Sequence, residues 1–428
     1  MIRISFIMPT FNRAALITHS IESVLQQMGP QDELLVVDDG STDSTAHHVR
    51  RVAEAAKLKN LKVRYHRQAN AGKSVALNTA LAMTTGRYVC ICDDDDLFRP
   101  GAVEVLVNAL EQGDAGVAFG RYTRFVEKNG HVRDLGTGYW PELQTGSVSR
   151  HLLEDAFIMH NAALVRRSAY EKVGPFDEAL LRSQDYDMFL RLVLQVPTIF
   201  VDELIFEQRK HGGARGPARV RHAAGSSNQV WSTYDRRIFA RLHKALPLSF
   251  YEAMFDAECP QIRRRTALLQ RACVMGRHDM WSHAMDDLEA AAAILPLSPL
   301  LPLERTICHR AVAGKHGFTG AVAPDIGLRL RALNHTGGEA ARMIVYELVR
   351  GTFWRFRQAD LQPKIDALRL ARFAYDVPML SRFSWERFRR RRNIMRDRQV
   401  LDSLKLIEHP DLAPVGPLWH PRTTIKAA

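Results

Sequence analysis

The organising stretch of this sequence reads Tyr88-Val89-Cys90-Ile91-Cys92-Asp93-Asp94-Asp95-Asp96-Leu97-Phe98-Arg99-Pro100. Its first five residues are apolar or small and are typical of a short buried strand. The four carboxylates that follow repel one another and lose hydration if they are buried, which is costly unless a cation lies among them. Because ligands of open α/β sheets bind outside the carboxyl ends of the strands, the pair Asp93 and Asp95 indicates a divalent metal that carries phosphates. A solvated acidic turn is the alternative at this point.

Strand and helix patterns alternate before this stretch. Strand patterns cover Ile2 to Met8, Glu33 to Val37 and Leu61 to Tyr65, and helical patterns cover Ala14 to Gln27, Thr42 to Ala56 and Lys73 to Met83. Such alternation predicts an α/β fold with a parallel sheet and crossover helices. Polar residues follow the strands and therefore meet at one rim of the sheet, where a nucleotide would bind. No G-x-G-x-x-G or P-loop motif occurs, which disfavours a dinucleotide fold and a P-loop.

Two later segments also carry chemical groups. A helix pattern over residues 184–193 holds Asp185 and Asp187 in its first turn, where the helix dipole favours carboxylates. Glu207 to His222 contains five basic residues, two histidines and three glycines. This composition predicts a mobile basic loop that clamps phosphates, with a solvated surface loop as the alternative.

The bulk composition bounds the class of protein. A length of 428 residues predicts two domains, which we place at residues 1–225 and 226–428. The net charge of +12 favours an anionic partner, and five cysteines without a C-x-x-C pair form neither a disulfide framework nor a zinc ribbon. No signal-peptide pattern and no uninterrupted apolar run of about 20 residues is visible. We therefore expect a cytoplasmic protein that does not span a membrane.

The second half has helical patterns throughout and predicts an all-α domain. The helices are expected at Glu252 to Cys259, Ile262 to Met275, Trp281 to Ile294, Glu339 to Thr352, Ile365 to Tyr375 and Trp385 to Leu406. Two patches combine aromatic residues with arginine, Phe353 to Arg357 and Ser381 to Val400, and the second contains eight arginines. A basic, aromatic helix is typical of a peripheral contact with anionic lipid. A solvated or homo-oligomer-forming helix is the main alternative, and nucleic acid is disfavoured because no recognised motif accompanies the patch.

Seven short motifs of the first half resemble, in order and interval, those of the family-2 glycosyltransferases, which have the GT-A nucleotide-sugar fold. The motifs are Met8 to Arg13, Val36 to Ser41, Asn70 to Lys73 with Asn78, Gly86, Asp93 to Asp96 with Pro100, Gly174 to Glu178, and Gln184-Asp185. The resemblance covers about Ile2 to His222, half of the chain. It implies an inverting, metal-dependent transferase that uses a nucleoside-diphosphate sugar, with a UDP-sugar as the expected donor.

The resemblance also implies a role for individual positions. The nucleotide-sugar would contact Pro9, Thr10, Phe11, Arg13, Asp38, Asp39, Asn70, Lys73, Asp93 and Asp94. Asp95, with Asp93, would coordinate Mn²⁺ or Mg²⁺ bridging the diphosphate, and His211 would be a further metal ligand. Asp185 would be the catalytic base, while His160, Asn161 and Gln184 would line the acceptor side.

This sequence departs from the family pattern at two of these positions. Gln184 replaces the usual Glu before the base. Leu77 stands where members often have Arg, so that Lys73 would supply the positive charge.

The expected acceptor is a hydroxyl of a glycan, a lipid-linked saccharide or a protein. Two other functions are weighed against this one. A sugar nucleotidyltransferase would need a glycine-rich loop after the first strand, and residues 9–13 contain no glycine. A catalytically silent domain that only binds nucleotide or serves as a scaffold would have no need for Asp39, Asp95 and Asp185 together.

Overall fold

The computed structural model describes residues 2–128, 130–143, 147–211, 227–315, 318–357, 361–375, 404–407 and 418. The chain forms two compact units, the first comprising Met1–Pro141, Ala156–Tyr234 and Gly416–Ala428 and the second comprising Glu142–Asp155 and Asp235–Val415. The predicted boundary at residues 225 and 226 lies outside the described residues and stays a prediction. Nothing in the sequence indicates that Glu142–Asp155 joins the second unit.

The first unit is built on a nine-stranded sheet. Its strands are β1 (Ile4–Thr10), β2 (Glu33–Asp38), β3 (Lys62–Arg67), β4 (Tyr88–Ile91), β5 (Leu97–Phe98), β6 (Val117–Lys128), β7 (His131–Gly136), β8 (Ala163–Arg166) and β9 (Thr198–Arg209). The helices up to residue 193 are α1 (Ile17–Leu25), α2 (Thr45–Lys57), α3 (Lys73–Met83), α4 (Ala102–Glu111), α5 (Val148–Glu154), α6 (Arg167–Val173) and α7 (Gln184–Val193). Helix α5 belongs to the second unit.

The strand order is β3-β2-β1-β4-β8-β6-β9-β5, with β7 paired to β6. The run β3-β2-β1-β4 is parallel throughout, which confirms the α/β fold and the crossover helices predicted from the alternation. Buried aliphatic and aromatic side chains of these strands and of α1, α2 and α4 form the core. As a result, the ends of β1, β2 and β4 lie side by side, and the polar residues after them share one rim.

Strand β9 corrects one prediction. Glu207–Arg209 belong to β9, with Leu97 paired to Glu207, and are not part of a loop. The twelve-residue strand runs parallel to β6, and register shifts near Arg121 break its pairing into two parts. The break, together with Asp202 and Glu203, removes the apolar alternation by which a strand is recognised. The remainder of the predicted basic loop, residues 212–222, lies outside the described residues.

The second unit is helical, as predicted. Its later helices are α8 (Ser227–Ala245), of which residues 235–245 belong to this unit, α9 (Leu248–Glu252), α10 (Pro260–Arg277), α11 (Trp281–Ala293), α12 (Pro302–Ala311), α13 (Pro324–Thr336), α14 (Glu339–Gly351) and α15 (Leu361–Ala374). The helix predicted at Glu252 to Cys259 is wrong, because β10 (Phe255–Ala257) pairs there with β11 (Leu404–Leu406). Most of the predicted helix Trp385 to Leu406, and all of Ser381 to Val400, lies outside the described residues. None of the helices in the described ranges is long and apolar enough to cross a membrane.

Candidate active site

A cleft of about 490 Å³ opens at the rim where β1, β2 and β4 end. Most of the predicted site residues line it, namely Pro9, Thr10, Phe11, Arg13, Asp39, Asn70, Lys73, Asp93, Asp94, Asp95 and Gln184. Five predicted residues are not among the lining residues, namely Asp38, Asn161, His160, Asp185 and His211. The cleft is therefore made by residues from distant parts of the sequence that the parallel sheet brings to one edge.

The two carboxylates after β2 hold the backbone of the rim. Asp38 is fully buried, accepting hydrogen bonds from the Ser41 amide at 2.7 Å and from the Tyr65 hydroxyl at 2.6 Å. Asp39 accepts four hydrogen bonds from residues 68–72, including those of the Ala71 amide at 2.9 Å and the Gly72 amide at 2.8 Å. Asp39 thus fixes the segment that leads into α3 while facing the cleft.

The turn between these carboxylates and Ser41 requires a glycine. Gly40 has a φ of +82°, in the left-handed region, and a Cβ built on it would lie 3.0 Å from the Asn70 amide nitrogen. The backbone of residues 39–41 can therefore approach residue 70 closely. This approach places Asn70 and Asp39 together on the cleft wall.

Three of the four carboxylates after β4 are paired with cations. Lys73 forms a short ion pair with Asp93, and Arg13 lies 3.2 Å from Asp94 and 3.6 Å from Asp95. Burial opposes the charge on Lys73, but Asp93 and then Asp185 outweigh it and raise the pKa of Lys73 overall. In this state the protein's own cations offset the repulsion expected from the sequence.

The fourth carboxylate, Asp96, stabilises the acidic turn of residues 93–96 through hydrogen bonds to two other segments of the chain. Its oxygens accept hydrogen bonds from the Asn161 side chain at 2.9 Å and from the Arg209 amide at 2.8 Å. Asn161 also accepts from the Asp93 amide at 2.8 Å, and the Arg209 guanidinium donates to the Asp95 carbonyl at 3.1 Å. Asn161 is 1% exposed, and its side chain holds the acidic turn, while its predicted position on the acceptor side stays a prediction. Arg209 was predicted only as one of the basic residues that clamp phosphates, and its contact with this turn was not predicted.

His211 lies two residues after Arg209 in the sequence and contacts the acidic turn directly. Its Nε2 lies 2.9 Å from Oδ2 of Asp95. Burial alone would raise the pKa of Asp95, but the hydrogen bond from His211 and the charge of Arg13 lower it instead. His211 therefore lies directly beside Asp95, and its predicted role as a metal ligand stays a prediction.

Within the part of the chain that the structure describes, no group of three or more His, Cys, Asp or Glu side chains is arranged to hold a metal ion. Mg²⁺ sites of nucleotide enzymes often use only one or two protein ligands and take the rest from phosphates and water. Two ligands of one octahedral ion with bonds of about 2.1 Å lie about 3 Å apart. Asp95 and His211, which are 2.9 Å apart, would be the protein ligands of such an ion.

Helix α7 carries the predicted base. Asp185 is half-buried in its first turn, and its Oδ1 accepts from the Tyr186 amide at 2.9 Å. A buried pair between Asp187 and Arg191, at 2.9 Å, anchors the helix, because Arg191 also donates to the Val173 carbonyl at 2.9 Å. The start of α7 is therefore held firmly, and Asp185 lies close enough to Lys73 for its charge to affect that residue's pKa.

His160 is buried behind the cleft. Its ring centroid lies 5.5 Å from that of Phe176 and 5.3 Å from that of Phe189, and neither ring nitrogen has a hydrogen-bond partner among the residues that the structure describes. Burial lowers the pKa of His160 to about 4, although the charge of Asp185 partly opposes this. The imidazole is therefore neutral at pH 7.

The buried Asp94 gives a prediction on pH. Burial and then repulsion by Asp95 raise the pKa of Asp94 to about 6, against about 3.9 for an unfolded Asp. Between these two values the folded state binds a proton that the unfolded state has lost, so the free energy of unfolding falls as the pH rises through this window.

Asp94→Asn removes this contribution. Without ligand, we expect the free energy of unfolding of Asp94→Asn, minus that of the wild type, to rise by about 1–3 kcal/mol between pH 4 and pH 7. Urea unfolding at several pH values measures the difference. A difference between the two proteins that is independent of pH would contradict the raised pKa.

A parallel sheet with a polar cleft outside its strand ends defines the class of nucleotide-binding α/β domains. Residues 5–174 match the family model described as "Glycosyl transferase family 2". This match confirms, over residues 5–174, the resemblance to glycosyltransferase family 2 that the motifs predicted.

Curated relatives match about half of the chain. Chondroitin synthase of Escherichia coli is 28% identical over 210 residues, 49% of this chain and 29% of its own. Glycosyltransferase GlyG of Streptococcus pneumoniae is 24% identical over 221 residues, 49% of this chain and 72% of its own. The chain spans 29%, 38% and 34% of the first three curated relatives.

Among solved structures, S. aureus TarS 1–349 in complex with UDP-GlcNAc aligns with 83% of this chain and 93% of its own. The identity is 16% and the TM-score is 0.46. This likeness is too distant to assign a ligand.

Proposed function

We propose that this chain is an inverting glycosyltransferase that moves a sugar from a nucleoside-diphosphate sugar to a hydroxyl group. The observation that carries the proposal is the cleft itself, where Asp39, the acidic turn and the start of α7 meet. Titration of the protein with UDP, in the presence and absence of Mn²⁺, tests it. UDP is the chosen nucleotide because the resemblance of the sequence motifs implies a UDP-sugar.

The donor would lie along the rim. Phe11 and Asp39 follow β1 and β2 and would face the base and ribose, while the acidic turn after β4 would face the diphosphate. Lys73 and Arg13 are already present as cations beside Asp93, Asp94 and Asp95. Once a metal neutralises these carboxylates, Lys73 and Arg13 can pair with phosphate oxygens instead.

Asp95 and His211 would hold the divalent ion, Mn²⁺ or Mg²⁺. When bound, this ion stabilises the negative charge on the diphosphate leaving group. Arg209 and Asn161 keep Asp95 in place through the braced turn.

Asp185 would act as the base. The acceptor oxygen forms a bond to the anomeric carbon, the bond from that carbon to the phosphate oxygen breaks, and its electron pair leaves with the diphosphate. The acceptor proton goes to the Asp185 carboxylate. Direct attack with one base inverts the configuration, and the described cleft offers no second carboxylate on α7 placed as a nucleophile, since Asp187 is buried in its pair with Arg191.

The acceptor would be a hydroxyl of a bacterial-type surface glycan, a lipid-linked saccharide or a protein. We place the enzyme on the cytoplasmic face of a membrane, bound through Ser381 to Val400. Phe353, Trp354 and Phe356 of the first aromatic patch are 37%, 41% and 42% exposed.

Membrane binding is tested by flotation with vesicles. We expect the full chain to float with phosphatidylglycerol vesicles and not with phosphatidylcholine vesicles, because arginines near a surface gain about 1 kcal/mol each from anionic lipid. Replacing Arg389, Arg390, Arg391 and Arg392 by Gln should abolish flotation. Flotation that is unchanged in this variant would show that the segment is not the anchor.

A further inference from the structure

Gln184 is the first residue of α7 and directly precedes Asp185. Its side chain lines the cleft, the residue is only 9% exposed, and Oε1 has no hydrogen-bond partner within the described part of the chain. A buried acceptor without a partner costs about 1–3 kcal/mol. Because this cost is incurred at the wall of the ligand cleft, we propose that Gln184 binds a hydroxyl of the donor sugar, an inference that rests on the function proposed above.

The chemistry of Gln184 Oε1 limits which part of the nucleotide-sugar it can bind. An amide oxygen accepts a hydrogen bond and cannot donate one. Diphosphate oxygens are also acceptors and would repel it, and they face Lys73 and Arg13. The nucleoside would lie near Phe11 and Asp39, after β1 and β2. The hydrogen-bond donors that remain are hydroxyls of the donor sugar and of the acceptor, and titrations that contain no acceptor measure the contact with the donor sugar alone.

The amide also explains why a glutamine suits this position. A glutamate, the usual residue in the family, would place a second carboxylate directly beside Asp185 and close to the acidic turn. Gln184 keeps the accepting oxygen and removes the charge. It can therefore bind a hydroxyl without competing for the proton that Asp185 takes. This role is one of positioning and sugar selection.

Calorimetry with UDP and with UDP-sugars tests the proposal, with Mn²⁺ in every titration. The panel comprises UDP-glucose, UDP-galactose, UDP-N-acetylglucosamine, UDP-N-acetylgalactosamine and UDP-glucuronate. The sugar increment is the ratio of the Kd for UDP to the Kd for the tightest UDP-sugar. In Gln184→Leu we expect the increment to fall by about 2- to 12-fold, as for the loss of one hydrogen bond, with the Kd for UDP unchanged.

Gln184→Glu is the matched control, because it keeps both size and accepting oxygens, and it should retain the increment. Deoxy analogues of the tightest sugar locate the hydroxyl. Removal of the contacted hydroxyl should weaken binding to the wild type and have no further effect in Gln184→Leu. An increment in Gln184→Leu equal to that of the wild type would overturn the assignment, whereas a wild type that binds no UDP would overturn the proposed function as well.

Discussion

Asp185→Asn is expected to stop sugar transfer while leaving the Kd for UDP within about twofold of the wild type. The amide keeps the shape of the side chain and its acceptance of the Tyr186 amide hydrogen bond, but it cannot take a proton. Loss of a positioned general base costs about 10²- to 10⁴-fold in kcat. Release of UDP from the UDP-sugar in the presence of acceptor measures the rate.

Glu171→Gln is the matched control for this substitution. Glu171 is exposed on α6, and the change removes the same charge outside the cleft. We expect its kcat to equal that of the wild type. If Asp185→Asn also turned over at a near wild-type rate, another group would have to be the base.

Removal of divalent metal should have an effect of similar size. In the presence of EDTA, we expect transfer to stop and UDP to bind at least tenfold more weakly. The reason is that the diphosphate would then face the negative charges of Asp93, Asp94 and Asp95 without a metal ion to neutralise them, although Lys73 and Arg13 lie beside these carboxylates. Excess Mn²⁺ or Mg²⁺ should restore both properties.

Asp95→Asn locates the metal without relying on activity. Loss of an outer partner of a metal site commonly costs 10- to 100-fold in metal affinity, and loss of a direct ligand should cost at least as much. Paramagnetic resonance of free Mn²⁺, measured with UDP present, gives that affinity. An affinity for Mn²⁺ that is unchanged in Asp95→Asn would contradict the assignment.

Local periodicity was enough to predict much of the first unit. The helix Lys73–Met83 and the strand after Gly86 are found where the pattern places them, because each buries its apolar residues on the sheet. Strand β9 could not be predicted, since its pairing with β6 changes register and its central residues include two carboxylates. Membership of Glu142–Asp155 in the second unit depends on contacts with helices more than a hundred residues later, which no local pattern records.

Local sequence patterns likewise predicted only part of the candidate site. Motifs indicated Asp39, the acidic turn and Asp185, and the sheet places the first two along one cleft, with Gln184 beside the third. They could not indicate that Asn161 and Arg209 brace the turn, because these hydrogen bonds join residues 65 and 113 positions apart. Asn161 was predicted from its neighbourhood in sequence, whereas its function follows from its two hydrogen bonds.

The measurement that tests the central claim most directly is calorimetric titration of the wild type and of Asp95→Asn with UDP, each with and without Mn²⁺. We predict that the wild type binds UDP tightly only with Mn²⁺, and that Asp95→Asn loses most of this metal-dependent gain in affinity for UDP. If the wild type bound no UDP under either condition, or bound it equally well without metal and without Asp95, the proposed donor site would be contradicted.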